Sequence, residues 1–432
     1  MPFRNGMASV FWGGMILNHA TPFAIFVSMP AQLSGEQLMQ TATGFGTPLY
    51  VYHAERIKEQ YEKLLLAFHG SDVKFFYAAK ALTNIHILTY IQSIGCNVDC
   101  SSVNEAKLAQ KAGFVPQNIL YTSSNIAFEE IEEAQRMGIH INIDSIANLE
   151  KFGNKFGHSY PVGIRLRPNI MAGGNLKIST GHAESKFGVP LEDIAEVLKV
   201  QKETGLFIRT LHIHTGSDIK DVEVFAKGIE VLFEVAQHFP ELEVIDLGGG
   251  FKVPYRPGEE GTAIELLGKK VKEEFEWFEK KHNQHLQVWF EPGKFVVSEA
   301  GYFITRVNVL KQSGDITFAG VDSGLNHFIR PMFYGAYHEI ENISNPSGEK
   351  RKYNVVGNIC ETDTFAENRL LPEIREGDYL VFRNAGAYGF EMASNYNARF
   401  KPAEILIKEG KAQLIRRRDN LDDLLRNQEE IM

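Results

Sequence analysis

Between Val73 and Ala81 the chain reads Val-Lys-Phe-Phe-Tyr-Ala-Ala-Lys-Ala. Val73, Phe75 and Tyr77 alternate with Lys74 and Phe76, and branched and aromatic residues in that rhythm fit a pleated strand. The strand delivers Lys80 at its carboxyl end, before a helical pattern from about Asn84. Similar strands are predicted over Lys74–Ala79, Asn97–Cys100, Ile119–Ser123, His140–Asp144, Val162–Arg167, Ile208–His214, Glu243–Leu247 and Gln287–Phe290. Amphipathic helical patterns lie between them, among them Asn104–Ala112, Phe128–Met137, Leu191–Thr204, Val222–His238 and Ile264–Lys281. Strand then helix, eight times over, is the arithmetic of a closed parallel (β/α)8 barrel of the TIM type. An open doubly wound sheet is the competitor, but it carries its glycine-rich phosphate loop after the first strand. Here Gly248-Gly249-Gly250 follows the seventh.

From Ala300 the rhythm changes. Tyr302–Val309, Asp315–Val321, Tyr353–Ile359, Asp378–Phe382 and Glu404–Lys408 read as strands without long helices between them. Asn345-Pro346-Ser347-Gly348 and Glu376-Gly377-Asp378 supply turns. This predicts a second, mostly antiparallel β domain. An early strand at Pro48–His53 precedes the barrel and is free to join that domain. The expected division is therefore a barrel over 54–299 and a discontinuous β domain from 29–53 and 300–432. The tail Leu421–Met432 reads as charged and helical.

Composition narrows the function classes. A length of 432 residues favours two domains, and 44% hydrophobic with 23% charged residues is a globular composition. A net charge of −9 without a dominant basic stripe argues against a nucleic-acid partner. The short run Arg416-Arg417-Arg418 reads as a solvated face. Three cysteines make no disulfide framework, which fits a cytoplasmic protein, and Cys96 and Cys100 lack the neighbours a zinc site needs. Phe11–Val27 is apolar but broken by Gly13, Gly14 and Pro22, too short for a membrane span. Residues 1–28 are expected to be a disordered or non-native extension.

The chemistry gathers after the strands. Lys80, Asp99, Ser102, Asn125, Asp144, Ser145, His214, Gly216, Ser217, the triple glycine and Glu291-Pro292-Gly293-Lys294 all follow predicted strands, and a barrel brings those ends to one mouth. A solvated lysine is the ordinary reading of Lys80 taken alone; a Schiff-base lysine is the sharper one. Gly248, Gly249 and Gly250 offer backbone N–H groups to an oxyanion, and Ser217 adds a hydroxyl. His212 and His214 share a face, so spacing does not choose between them. Pyridoxal phosphate needs an amine for its aldehyde, donors for its phosphate and an acid for its ring nitrogen. Lys80, the glycine cradle with Ser217, and Glu291 supply one of each.

Tyr-Ala-Ala-Lys-Ala, Asp-Cys-Ser-Ser-Val-Asn-Glu, Ser-Lys-Phe-Gly, His-Ile-His-Thr-Gly-Ser and Leu-Gly-Gly-Gly-Phe occur in that order. Glu-Pro-Gly-Lys, Arg-Pro-Met-Phe-Tyr-Gly-Ala-Tyr-His, Cys-Glu-Thr-Asp and Gly-Ala-Tyr-Gly follow. Together, from about Pro48 to Arg418, the chain resembles the alanine-racemase-type pyridoxal phosphate decarboxylases, most of all their diaminopimelate decarboxylase branch. The resemblance implies a homodimer with shared active sites that converts meso-diaminopimelate to L-lysine and carbon dioxide.

It further implies that Lys80 holds the cofactor, His214 stacks on its ring, and Ser217 with Gly248, Gly249 and Gly250 binds its phosphate. Glu291 would pair the ring nitrogen, within the cofactor-binding stretch Glu291-Pro292-Gly293-Lys294. Tyr388 would reach both phosphate and substrate, Arg330 and Tyr334 would bind the unreacting end, and Cys360 would be the acid, entering with Glu361 from a second subunit. A distal end that is itself an amino acid needs a cation and an anion, for which Arg330 and Glu361 are the candidates. Two departures stand out. Lys294 replaces the family's usual arginine, a point charge for a planar fork, and the Cys360-Glu361-Thr362-Asp363 loop is one residue short. Decarboxylation of ornithine, arginine or carboxynorspermidine is the runner-up. An inactive cofactor- or partner-binding relative comes third, and the retention of Lys80, Glu291 and Cys360 together argues against it.

Overall fold

The computed structural model describes residues 32–170 and 185–429. The extension expected over residues 1–28 lies outside them. Leu49–His53 (β1) comes first, then Val73–Ala78 (β2), Asn97–Cys100 (β3), Ile119–Thr122 (β4), His140–Ile143 (β5) and Val162–Arg167 (β6). Val189–Pro190 (β7), Ile208–Ile213 (β8), Val244–Asp246 (β9) and Gln287–Phe290 (β10) follow. Apart from β1 and β7 these strands form a ring of parallel pairs in the order β5-β4-β3-β2-β10-β9-β8-β6, closed by β5 on β6. β7 pairs with Leu166 and Arg167, beyond the point where β5 ends. The predicted closed barrel is there, with strand ends within a residue or so of those read from alternation.

Alternation also decides what fills the barrel. Every second residue of a strand points inward. Near the amino ends these are Phe76, Leu120, Val244 and Trp289, which form a buried apolar cluster. One step along each strand the inward positions turn polar: Asp99, Thr122, Asn142, Arg165, His212, Asp246 and Glu291, all buried. Asn142 satisfies part of its amide by donating to Thr122 Oγ1 at 3.0 Å. The outward positions meet the helices. Val222–Ala236, capped by Asp221 accepting from the Glu223 N–H, buries Phe225, Ile229, Leu232, Phe233 and Ala236 at helical spacing.

The second sheet comprises β1 with Gly301–Ser313 (β11), Ile316–Val321 (β12), Ile340–Asn342 (β13), Lys350–Val356 (β14), Thr364–Pro372 (β15), Tyr379–Phe382 (β16), Ala403–Lys408 (β17) and Lys411–Arg416 (β18). β1 sits between β11, antiparallel, and β17, parallel. Only this pairing and β12 with β14 are parallel; the rest are antiparallel. β13, β15 and β18 were not anticipated. β18 is mostly exposed, and β15 buries Phe365, Ala366 and Leu371 without a period of two, so neither shows an alternation to read. The strand expected over Tyr353–Ile359 ends at Val356, because the Gly357 N–H turns to the Asp363 carbonyl at 2.7 Å. Helix Gly35–Phe45, closed by a reciprocal Ser34–Gln37 capping box, was also unforeseen. At the tail, helix is confined to Leu421–Leu425 among the described residues. This sheet's segments lean on the barrel mouth, where the Tyr388 N–H donates to the Ala81 carbonyl at 2.9 Å and the Thr83 N–H to Glu391 at 2.7 Å.

Candidate active site

A cavity of about 500 Å3 opens at the carboxyl ends of the barrel strands. The barrel lends it Lys80, Asp99, Arg165, His214, Ser217, Glu291 and Lys294; the other sheet's connections lend Arg330, Tyr334 and Tyr388. A narrower cleft of about 30 Å3 continues past Lys80 and Tyr388 to Gly249, Gly250, Pro292 and Gly293. Cys360 and Glu361 line neither. They lie exposed on the second sheet's surface, where the Tyr396 hydroxyl donates to Glu361 at 2.8 Å and Asn397 clamps the Cys360 N–H and thiol at 3.1 and 3.2 Å.

Lys80 stands on a short turn, Ala79–Ala81, that ends β2, and its Nζ meets Asp99 at 2.7 Å. Burial alone would lower the lysine; the Asp99 carboxylate, with Tyr388 and Glu291 behind it, more than reverses that and raises it above its ordinary value. Asp99 is itself raised, by burial and by Glu291, to about 7.

The triple glycine follows β9. A Cβ on Gly249 would lie 2.3 Å from the Glu291 carbonyl oxygen, and one on Gly250, whose φ is +103°, would lie 2.3 Å from the Gly216 oxygen. No side chain fits there, so the backbone itself forms the cleft wall. Gly248 differs: its N–H is taken up by Asp246 at 2.9 Å, and only Gly249 and Gly250 face the cleft.

The two histidines that spacing left equal are separated. His212 is fully enclosed, with Nε2 3.3 Å from Glu291. His214 lines the mouth and accepts the Gly249 N–H at Nδ1. Burial, then Arg165, lowers His214 to about 3, so its ring is neutral. Glu291 is 6% exposed, and its enclosed Oε1 has no hydrogen-bond partner. Burial alone would raise this carboxyl; contact with His212, then the charge on Lys80, holds it well below the usual range.

Lys294, 8% exposed, is paired with Asp218. Arg330 is buried, with Nε 3.3 Å from His338 and its guanidinium 5.5 and 5.9 Å from the Tyr255 and Tyr334 rings. Ser102 proves to be a helix cap, accepting the Glu105 N–H. Arg165 and Asp246 were missed. The signal available was a charge inside an apolar strand, in Val162–Arg167 and in the segment ending at Asp246.

The donor set fits pyridoxal phosphate: a cleft that any Cβ would fill beside Ser217, an amine at its mouth, and a buried carboxylate, Glu291, in its lining. Barrel, strand-end lysine and glycine cleft together define the class as the barrel-type pyridoxal phosphate enzymes. Residues 54–298 match the family described as "Pyridoxal-dependent decarboxylase, pyridoxal binding domain". The chain is 39% identical to the diaminopimelate decarboxylase of Methanothermobacter thermautotrophicus over 92% of this chain and 95% of that protein. It is 33% identical to that of Aquifex aeolicus over 94% and 97%. The crystal structure of diaminopimelate decarboxylase from Helicobacter pylori complexed with L-lysine superposes with a TM-score of 0.82 at 33% identity, covering 90% of this chain and 98% of that one. A lysine/ornithine decarboxylase from Vibrio vulnificus, at 23% identity and a TM-score of 0.76, shares the fold. The chain belongs to the diaminopimelate decarboxylase family, and it is a pyridoxal phosphate-dependent amino-acid decarboxylase.

Proposed function

We propose that this chain decarboxylates meso-diaminopimelate to L-lysine, the last step of lysine biosynthesis, with each active site shared between two copies. One observation carries the reading: Lys80 and Glu291 meet at a cavity that leads into the Gly249–Gly250 cleft and whose lining includes the buried cation Arg330. Residues 54–299 bind the cofactor, and 29–53 with 300–432 complete the site. When bound, pyridoxal phosphate supplies an aldehyde for the lysine amine and a ring that draws electrons from the breaking bond.

The chain's own groups do the rest. Asp99, its carboxyl raised by burial, pairs with Lys80 at 2.7 Å and holds the amine at the cavity mouth. His214, a neutral ring lining the mouth, would cover one face of the pyridine. Ser217, Gly249, Gly250 and the Pro292-Gly293-Lys294 turn would hold the phosphate end, with Tyr388 closing over it; Gly248, its N–H taken up by Asp246, supports the loop from behind. Glu291 holds the proton of the ring nitrogen. Arg330 and Tyr334 take the distal carboxylate, and Lys294, its charge shared with Asp218, adds a second cation. Cys360 from the second copy returns a proton to the carbon that lost carbon dioxide, with Glu361 beside it for the distal ammonium. Their position outside their own cavity supports that arrangement.

Three free cysteines suit a reducing cytoplasm, and no helix among the described residues is long and apolar enough to cross a membrane. Incubation with meso-diaminopimelate and pyridoxal phosphate should yield lysine and carbon dioxide in equal amounts. Efficient turnover of ornithine with none of diaminopimelate would overturn the reading.

A further inference from the structure

Beneath the mouth, β8, β9 and the end of β10 turn His212, Asp246 and Glu291 into one enclosed space. Each offers an atom within 4.8 Å of the others, and all three are buried. Their hydrogen bonding is incomplete in an informative pattern. Asp246 Oδ1 accepts the Gly248 N–H at 2.9 Å. Asp246 Oδ2, Glu291 Oε1 and both ring nitrogens of His212 have no partner that meets hydrogen-bond geometry. His212 Nε2 and Glu291 Oε1 approach to 3.3 Å without alignment. Two carboxylates confined this closely above an apolar floor do not both stay charged.

We infer that the cluster holds one proton on Asp246 Oδ2, and that neutral Asp246 is a positioning residue for Glu291. The division of its oxygens follows: Oδ1 acts as the carbonyl acceptor for Gly248, and the partnerless Oδ2 carries the hydroxyl toward Glu291. That donor keeps Glu291 ionised, and its pocket-side oxygen stays available to the ring nitrogen. Through Gly248 the same side chain ties the glycine loop at the phosphate end to the carboxylate at the ring end. The inference rests on the proposed meeting of Glu291 with the ring nitrogen.

The surrounding charges agree. Burial, then Glu291, pushes Asp246 well above the carboxylate range, while burial lowers His212 and keeps it neutral. Lys80, Asp99 and Arg165, from β2, β3 and β6, face the same space from the mouth side; Lys80 lowers Glu291, and Asp99 raises Asp246.

Two readouts other than turnover test this. Apoprotein at pH 8 should show the infrared carbonyl band of a neutral carboxyl; labelling aspartate side chains with 13C should move it, and Asp246→Asn should remove it. With cofactor labelled by 15N in its ring, wild type and Asp246→Asn should give a protonated ring-nitrogen signal. Asp246→Ala, with no donor toward Glu291, should move that signal toward the unprotonated position and weaken cofactor binding about tenfold. Absence of the band in wild type, a band that survives in Asp246→Asn, or an unmoved nitrogen signal in Asp246→Ala each overturns the inference. The labelled wild type decides the proton's place even if Asp246→Ala fails to fold. It does so whether or not lysine is formed, so this inference and the proposed function fail separately.

Discussion

Glu291 and Arg330 both line the cavity, and each is buried in a way that makes its charge count. Glu291→Gln keeps the shape of the site but cannot hold a proton on the ring nitrogen. Cofactor should still bind, as judged by its absorbance, while kcat falls on the order of 10²–10³-fold, the usual loss when one such stabilising group goes. Turnover at the wild-type rate would remove Glu291 from the electron-withdrawing role. Arg330→Leu leaves a substrate's distal carboxylate without its cation. A lost charged hydrogen bond costs about 1.5–3 kcal/mol, so kcat/KM for diaminopimelate should drop by about one to two powers of ten. Equal losses for a substrate lacking that carboxylate would point to a folding defect instead.

Among the elements, the turn from Gly357 to Asp363 decides where Cys360 stands. It is a residue shorter than the resemblance leads one to expect, yet it is firmly tied at its end. Asp363 is buried and accepts the Leu325 N–H at 2.6 Å and the Ile359 N–H at 3.1 Å. Asp363→Ala should leave both donors unpaired and cost about 2–4 kcal/mol. Thermal melting should show that loss. Activity should fall further than stability explains while cofactor affinity stays put, because Cys360 moves and the barrel does not. An unchanged melting point and an unchanged rate would show the anchor to be dispensable. The Lys294–Asp218 pair is the other local departure, and it shows how a buried lysine is tolerated where the resemblance expects a forked arginine.

At the scale of the whole molecule, the proposed site draws on two copies. Lys80 and Cys360 belong to different regions of the surface, and the cavity lacks a thiol. Lys80→Ala and Cys360→Ala subunits, each inactive alone, should therefore complement when mixed. Random pairing puts one good site in half the dimers, so activity should recover toward about a quarter of wild type. Verified subunit exchange with no recovery would place Cys360 in its own subunit's chemistry or outside it altogether.

How much of this was legible follows from physical range. Period-two alternation reports burial on either side of a strand, and it found the barrel strands and β1. It was silent for β18, an exposed edge strand, and for β15, an edge strand whose buried residues Phe365, Ala366 and Leu371 do not fall at a period of two. Residue type and position after a strand singled out Lys80, Ser217, the glycines and Glu291, because a closed parallel ring sends those ends to one place. What sequence left undetermined were relations between side chains on the same face. His212 and His214 are equal by spacing; only their depth in the barrel separates the one enclosed against Glu291 from the one lining the mouth. Asp246 shows in sequence only as a charge within an apolar strand, and its role emerges once Gly248 and Glu291 close around it. Local pattern determines which residues point inward, since that depends on backbone period alone. Which of them share a proton, a cavity or an ion pair depends on distances set by strands far apart in sequence, and only the tertiary structure decides those.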